Sequence, residues 1–346
     1  PSSSNIKGFE VYPVMGTEDY YEPAFEIRHA DGNPTSVLSY VSHEQKAVEG
    51  GTETIIRLKD KLYPVNVTLH YVAYPQENII KQWSEISHQE KANITISRYA
   101  SSMLYLEDAK YYLNEFSGDW AKEMQIKSSE LNYGKKIVDT RLGSRTNMFV
   151  EPFFEVGLGG KVRENEGKVI MGTIGWTGNY RFTFEVDHNN ALRIISGINP
   201  DASAYTLKKG QVFRTPDFYF TYSENGIGEG SRNFQRWALN HQLYKGKEDR
   251  LTLLNNWENT YFDFNEEKLT ELISEAKELG VDMFLLDDGW FGNKYPRQSD
   301  NAGLGDWDVT KDKLPNGIPY LVKTSNDNGV EFGLWIEPEM VNPKSE

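Results

Sequence analysis

The sequence contains no cysteine among its 346 residues. Disulfide bonds, thiolate metal sites and cysteine nucleophiles are therefore excluded within this chain. It also lacks any run of about eighteen apolar residues, the length that indicates a transmembrane helix. Positive charge is scarce, because 37 Lys and Arg stand against 51 Asp and Glu and leave a net charge of -14. Since that charge repels nucleic-acid phosphates and anionic lipids, we predict that the protein binds neither nucleic acid nor membranes.

Two cofactor signatures are missing as well. The six histidines are scattered, with neither the HxH nor the HExxH spacing of a zinc site. No glycine pattern of the GxGxxG type follows the first strand-like run of the C-terminal region, where a dinucleotide-binding turn would need it. We therefore expect no metal and no cofactor.

Residues 1–228 are rich in short runs that are typical of β-strands. Alternating and β-branched segments recur, and Gly, Pro, Asn and Asp separate them, as at Gly50 and Gly51. This pattern predicts a large antiparallel β-sandwich. The 20 Tyr, 17 Phe and 8 Trp fit either the interior of such a domain or platforms for a ligand. Position 1 is Pro rather than Met, so we expect the start of this domain to lie upstream.

A different pattern occupies residues 229–250. Phe234, Trp237, Ala238 and Leu243 recur at roughly helical spacing among polar residues, directly after a glycine-rich stretch that ends at Gly230. We predict a linker helix here, between two domains.

Residues 251–346 predict alternating strands and helices. A short apolar run begins at Leu251, an amphipathic helix is expected from an Asn265 N-cap to a Gly280 C-cap, and apolar strands are expected over residues 281–286 and 330–336. The order β-α-β-α-β implies parallel strands joined by right-handed crossovers. A doubly wound sheet and a (β/α)8 barrel both accept that order. Because the glycine fingerprint is missing, we predict the first three strands of a (β/α)8 TIM-type barrel.

Acidic and aromatic residues follow each of these three strands. Trp257 comes after the first strand, Asp287 and Asp288 come after the second, and Trp335 belongs to the third. In a barrel these ends meet on one rim, where carboxylates can accept sugar hydroxyls and an indole can pack on a pyranose. Singly, the acids could also cap a helix or bind a metal, and the tryptophans could be core residues. Their arrival on one rim favours a sugar site.

Four segments of this region carry a family resemblance. They are Asn255-Asn256-Trp257-Glu258, Phe284-Leu285-Leu286-Asp287-Asp288-Gly289-Trp290-Phe291, Gly305-Asp306-Trp307 and Gly333-Leu334-Trp335-Ile336-Glu337-Pro338-Glu339-Met340. In order and spacing they resemble the bacterial α-galactosidases of glycoside hydrolase family 36, whose N-terminal β-sandwich also fits residues 1–228. The resemblance implies a retaining α-galactosidase that hydrolyses melibiose and raffinose-type oligosaccharides through a covalent galactosyl-enzyme intermediate.

Other functions remain open on the sequence. A transferase of the same fold, similar to raffinose or stachyose synthases, would hold an acceptor sugar in place of water. A non-catalytic carbohydrate-binding fragment would bind sugar without turnover. A metal-dependent barrel hydrolase would use Asp287 and Asp288 as ligands.

The resemblance also assigns roles to individual residues. It implies that Asp287 and Asp288 bind galactose hydroxyls and that Trp257 and Trp335 line the galactose pocket. The family places its nucleophile and its acid/base after the fourth and sixth barrel strands, so we expect both beyond residue 346, no catalytic residue within this chain, and no activity from this chain alone. It further implies a homotetramer in the bacterial cytoplasm.

The spacing of Asp287 and Asp288 supports a binding role over a catalytic one. A retaining glycosidase needs two opposed carboxyl groups about 5–5.5 Å apart. Neighbouring residues at an extended strand end direct their side chains to different sides. We therefore interpret the pair as residues that determine substrate specificity.

Overall fold

The computed structural model describes residues 10–17, 19–201 and 203–345. Pro1, on which the expectation of an upstream start depends, lies outside these residues. The chain divides into two compact units, Pro1–Gly246 and Lys247–Glu346. Within the described part of the chain, no helix is both long enough and apolar enough to cross a membrane.

The first unit is built mainly from strands. In chain order the strands are β1 Phe25–Arg28, β2 Leu38–Val48, β3 Gly51–Asp60, β4 Val65–Tyr74, β5 Ile79–His88, β6 Ile94–Glu107, β7 Tyr111–Ser117, β8 Gln125–Leu131, β9 Gly134–Asp139, β10 Val150–Arg163, β11 Glu166–Gly175, β12 Tyr180–Val186, β13 Ala191–Ile198, β14 Tyr205–Leu207, β15 Val212–Arg214 and β16 Asp217–Ser223.

These strands form two antiparallel sheets. The smaller has the order β1-β6-β13-β12-β9, with β14 also paired to β6. The larger has the order β2-β3-β4-β5-β16-β11-β10-β7-β8, with β15 also paired to β5. Strands that follow one another in the chain often pair in hairpins, as β2 to β5 do, which is the behaviour that the closely spaced turn signals predicted.

The two sheets pack face to face, since two buried clusters each contain side chains from both sheets. Ile96 of the smaller sheet lies in a buried cluster with Val67 of the larger one. Further along, Phe182 of the smaller sheet packs edge-on against Phe154 of the larger, with 5.1 Å between the ring centroids. The predicted antiparallel β-sandwich is confirmed. Many of the aromatic side chains lie in the interior of this sandwich.

Helix α1, Gly226–Trp237, continues into a π-helical turn, Ala238–Gln242. Trp237 packs with Tyr219 at 4.5 Å between ring centroids, on the face of the larger sheet opposite to the one that Phe218 presents to the sandwich core. A Cβ at Gly226 would lie only 2.4 Å from the backbone carbonyl oxygen of Arg163 at the end of β10, so the start of the helix needs glycine to come this close to the sheet. The glycine-rich stretch ending at Gly230, which we placed before the helix, is thus part of it.

The predicted boundaries of the linker helix consequently differ from the observed ones. The helix begins at Gly226, inside the segment assigned to the sandwich, and helical structure ends at Gln242 rather than near residue 250. The whole of it lies within the first compact unit, which extends to Gly246. Close packing on the sheet explains the difference, because it makes this helix a layer of the first unit.

The second unit alternates strands and helices. It contains β17 Leu253–Asn255, α2 Trp257–Thr260, α3 Glu266–Leu279, β18 Met283–Leu286, α4 Gly317–Asp327 and β19 Glu331–Leu334. The strands pair in parallel in the order β17-β18-β19. This is the order predicted for the opening of a (β/α)8 barrel. The strands are shorter than the apolar runs that predicted them, so Trp335 follows β19 instead of belonging to it.

Helix α3 shows how the sequence defines its own ends. The Asn265 side chain accepts a hydrogen bond from the backbone N–H of Lys268 at 2.9 Å, and Gly280 ends the helix with a φ of 75°. Both caps were predicted. Leu269, Ile273 and Leu279 recur at helical spacing, which predicts that they share one buried face of α3. Leu269 and Ile273 are fully buried, whereas Leu279 is 72% exposed. The spacing therefore overestimated the length of the buried face by about one turn.

Removal of the α3 cap gives a direct stability test. Asn265→Ala leaves the Lys268 N–H without its acceptor, so we expect the free energy of unfolding to fall by about 1 kcal/mol. Asn265→Ser keeps a capping oxygen and should lose only a small part of that. Urea unfolding measures both variants. Equal losses for Ala and Ser would contradict a capping role.

Candidate functional site

The ends of the three parallel strands bring the candidate residues to one edge of the sheet. Asn255 at the end of β17 is in register with Leu285, and Leu286 at the end of β18 is in register with Leu334. Asp287 and Trp335 are the next residues after β18 and β19, and Trp257 comes two residues after the end of β17. Trp335 extends the ladder, since its backbone N–H donates to the carbonyl oxygen of Leu286 at 2.9 Å.

Asp287 is held by Asn255, which ends β17, and by Asn256, which follows it. Its backbone N–H donates to Oδ1 of Asn256 at 2.7 Å, and its Oδ2 accepts from Nδ2 of Asn255 at 2.5 Å. Oδ1 of Asn255 in turn accepts from the backbone N–H of Trp257 at 2.7 Å. Asn255 thus connects Asp287 to Trp257, and the Asp287 side chain stays partly exposed. Both asparagines belong to the first of the four motifs behind the resemblance, but nothing in the sequence indicated a role for them.

Asp288 has a different environment and is only 5% exposed. Nε of Arg297 donates to both of its carboxylate oxygens, at 3.0 and 3.1 Å, and Nη2 donates to Oδ2 at 2.7 Å. Arg297 is itself 3% exposed. The pair is therefore a buried, charge-assisted contact of the stronger kind. Nothing in the sequence indicated Arg297, because a loop residue nine positions away belongs to no periodic pattern.

The turn after Asp288 is tight. Gly289 has a φ of 97°, and a Cβ there would lie 2.9 Å from Cδ1 of Phe262. Nζ of Lys313 donates to the carbonyl oxygens of Gly289 and Phe262, at 3.0 and 2.9 Å. Burial lowers the pKa of Lys313, an effect that the negative charges of Asp288 and Asp263 partly oppose. A lysine thus secures the turn that presents the two aspartates.

This turn supplies a sharp structural prediction. Gly289→Ala would place a Cβ against Phe262 in a backbone region that L-residues rarely adopt, so we expect unfolding to become easier by at least about 1 kcal/mol. Gly280→Ala is the matched control, since it also has positive φ but has open space around its Cβ position. Comparing thermal midpoints of the two variants separates the close contact from the backbone strain. An equal shift in both would contradict a close contact at Gly289.

The tryptophans belong to two aromatic groups. Trp257 is the first residue of α2, and its ring meets Phe262 edge-on with 5.0 Å between centroids. Trp335 lies near Phe291 and Trp307, with 6.5 Å between centroids in each case. Nε1 of the buried Trp290 donates to the carbonyl oxygen of Trp335 at 3.0 Å. Both Trp257 and Trp335 keep part of their surface exposed, as a sugar platform requires.

A cleft of about 370 Å³ opens beside the loop that follows β18. Its lining residues are Asn293, Lys294, Gly305, Asp306, Trp307 and Asp308. An indole with flanking carboxylates and an amine is a set of groups that can bind a polar ring. One of the motifs behind the resemblance, Gly305-Asp306-Trp307, therefore lines this cleft.

The alternatives for the aspartates can now be compared with the structure. The next helix after Asp288 is α4, which begins at Gly317, so the pair caps no adjacent helix. The Asp288 carboxylate already faces a cation, Arg297. In the part of the chain that the structure describes, no three His, Cys, Asp or Glu side chains come together in a possible metal site. The environment of the pair is that of hydrogen-bonding groups at a strand end.

Comparison with known families agrees with this geometry. Residues 2–208 match the model of the glycosyl hydrolase family 36 N-terminal domain, and residues 212–346 match the melibiase model. The chain belongs to glycosyl hydrolase family 36. The boundary between the two family models precedes β15, whereas the boundary between the two compact units follows Gly246. Helix α1 therefore matches the melibiase model by sequence but packs as part of the first unit.

Curated family 36 relatives match over nearly the whole chain. Alpha-galactosidase AgaA of Geobacillus stearothermophilus is 33% identical over 97% of the chain and 48% of its own length. Alpha-galactosidase C of Emericella nidulans is 34% identical over 96% of the chain and 48% of its own length. The chain thus spans about half the length of the curated relatives that it matches.

Solved structures give the same result for the fold. The alpha-galactosidase from Lactobacillus brevis superposes with a TM-score of 0.89 at 31% identity, covering 97% of this chain and 47% of that one. A variant of AgaA from Geobacillus stearothermophilus in complex with stachyose also gives a TM-score of 0.89 at 31% identity, covering 97% of this chain and 48% of that one.

Proposed function

We propose that this chain is the N-terminal part of a retaining α-galactosidase that hydrolyses terminal α-galactosyl residues of melibiose and raffinose-type oligosaccharides. The observation that carries the proposal is the Asp287–Asp288 pair at the end of β18, between the strand ends that bear Trp257 and Trp335, in a chain of family 36. Relatives named alpha-galactosidase support it, and variants of one of them, AgaA of Geobacillus stearothermophilus, are solved in complex with stachyose and with raffinose.

Each site residue has a proposed role. Asp287 and Asp288 accept hydrogen bonds from galactose hydroxyls, and Asn255 holds the Asp287 carboxylate in place. Trp257 and Trp335 offer indole faces to the apolar side of the sugar ring. The three parts of the chain are then a sandwich over residues 1–228, a connecting segment over residues 229–250 that contains most of helix α1 and packs on the larger sheet through Trp237, and the start of the barrel over residues 251–346.

The catalytic carboxylates are proposed to lie beyond residue 346. Asp287 is directed to Asn255 and Asp288 to Arg297, so their carboxyl groups have different partners and do not form an opposed pair across a common space. Retention of configuration needs such a pair, one group as nucleophile and one as acid and then base. The full-length protein would supply both from later barrel strands.

The test is hydrolysis by the full-length protein. Melibiose is incubated with the protein, released galactose is quantified, and the first anomer formed is identified by proton NMR. Release of α-galactose supports the proposal, and initial β-galactose would show inversion and contradict the retaining mechanism. A large excess of an acceptor sugar shows whether transfer replaces hydrolysis. Absence of any galactose release would contradict the proposed activity.

Assembly and location are proposed on the family resemblance alone. We expect a homotetramer in which sandwich loops help to wall the active site of a neighbouring subunit, and a cytoplasmic protein. Light scattering on the full-length protein measures the mass, and a monomer would contradict the first expectation. Cell fractionation tests the second.

A further inference from the structure

We infer that Arg297 is a positioning residue for substrate binding, which orients the Asp288 carboxylate and leaves it one acceptor position for one substrate hydroxyl. This inference rests on the proposed function and deepens it. Arg297 makes three contacts to Asp288 within 3.1 Å, and the side chains of Arg297 and Asp288 are 3% and 7% exposed. The resemblance assigned a role to Asp288 but none to Arg297.

Arg297 is fixed by its own loop, independently of any substrate. Its Nη1 donates to the carbonyl oxygen of Ala302 at 2.9 Å, and its guanidinium lies 5.7 Å from the centre of the Phe262 ring. Its backbone N–H donates to the carbonyl oxygen of Phe291 at 3.3 Å. At Gly303, with a φ of 77°, an added Cβ would lie 3.1 Å from Cβ of Arg297. The loop therefore delivers the guanidinium in one orientation, which is what preorganisation of a binding group requires.

Counting acceptor positions gives the consequence for Asp288. An ionised carboxylate has about four acceptor positions, two on each oxygen. Oδ2 receives Nε and Nη2 of Arg297, and Oδ1 receives Nε alone. One position on Oδ1 therefore remains. Asp288 is then suited to accept a hydrogen bond from one hydroxyl at a defined position. Its orientation is set before the sugar binds, and the positive charge of Arg297 already balances its negative charge.

Arg297→Lys in the full-length protein is the informative variant. Lysine keeps the positive charge but offers a point charge in place of the planar fork, so the carboxylate loses its fixed orientation. We expect kcat/KM for an α-galactoside to fall roughly 10-fold or more. The fall should be smaller for the monodeoxygalactoside that lacks the hydroxyl bound by Asp288.

A double-mutant cycle separates positioning from a general structural effect. If Arg297 acts through Asp288, Arg297→Lys should change kcat/KM by less than about 2-fold when Asp288 is already Asn, because the contact is lost in either case. Independent, multiplicative effects of the two substitutions would overturn the inference. Arg193→Lys is the matched control, since Arg193 forms an equally buried pair with Asp19 in the sandwich. This variant should leave the ratio of kcat/KM for the parent substrate to kcat/KM for the deoxygenated substrate unchanged.

Two further comparisons keep the outcome interpretable. If Arg297→Lys does not fold, Arg297→Gln combined with Asp288→Asn carries no buried charge and is compared with Asp288→Asn alone. Equal kcat/KM values support the inference, and a further large loss overturns it. Turnover by the unaltered protein tests the proposed function separately, so an inactive parent contradicts that function, whereas an active parent with additive effects contradicts the role of Arg297.

Discussion

Replacement of Asp287 by Asn in the full-length protein is expected to lower kcat/KM for α-galactosides by roughly 10–100-fold or more. Asn keeps the size of the side chain but loses charge-assisted acceptance of substrate hydroxyls. Asp288→Asn should have an effect of the same order. The loss should be smaller on substrates that lack the contacted hydroxyl, because that contact is already absent there. Steady-state kinetics with parent and deoxygenated galactosides measures it.

The same variants distinguish binding from chemistry. Azide or formate should fail to restore turnover, because neither substitution removes a nucleophile. Trapping of a β-galactosyl azide would identify the altered aspartate as the nucleophile, and trapping of an α-galactosyl azide would identify it as the acid/base, so either product would contradict our assignment. Asp282→Asn is the control, since Asp282 lies just before β18, at its opposite end, and hydrogen bonds from Thr252 hold the pKa of its carboxyl below the usual range. Its kinetics should match those of the unaltered protein.

The parts of the fold that follow from periodicity were predictable from the sequence. The two-residue alternation of Val65, Val67 and Leu69 indicates a strand with one buried face, and all three side chains are fully buried. The caps of α3 were predictable because Asn265 and Gly280 satisfy local hydrogen-bonding and backbone requirements that depend on few neighbours.

The parts that depend on contacts between distant segments were not predictable. Gly226 of α1 is needed because backbone atoms at the end of β10 lie against the start of the helix, and no local signal reports that neighbour. The site shows the same limit. Asp287 and Asp288 stand out as charges at the end of an apolar strand, whereas the contacts that orient them come from Asn255 on another strand and Arg297 in an irregular loop.

The largest expected effect on stability comes from the buried pair at the site. Asp288→Ala leaves the guanidinium of Arg297 buried without its counter-charge, so we expect the free energy of unfolding of this unit to fall by about 3–5 kcal/mol. The loss has this size because desolvation of a charge is compensated only by a partner at hydrogen-bond distance. Unfolding of the full-length protein in urea, monitored through hydrogen exchange of the α3 and α4 amides, measures the change in this unit.

The comparison that isolates burial uses two other variants. Lys323 and Asp327 form an ion pair on the surface of α4, with side chains 74% and 62% exposed, so Asp327→Ala should cost at most about 0.5 kcal/mol. Asp288→Leu combined with Arg297→Met removes both buried charges and should cost less than Asp288→Ala alone, because apolar side chains of similar volume need no counter-charge. If instead Asp288→Ala and Asp327→Ala cost the same, the Asp288–Arg297 contact would be as well hydrated as the surface pair, and its proposed use in orienting a substrate-binding carboxylate would lose its physical basis.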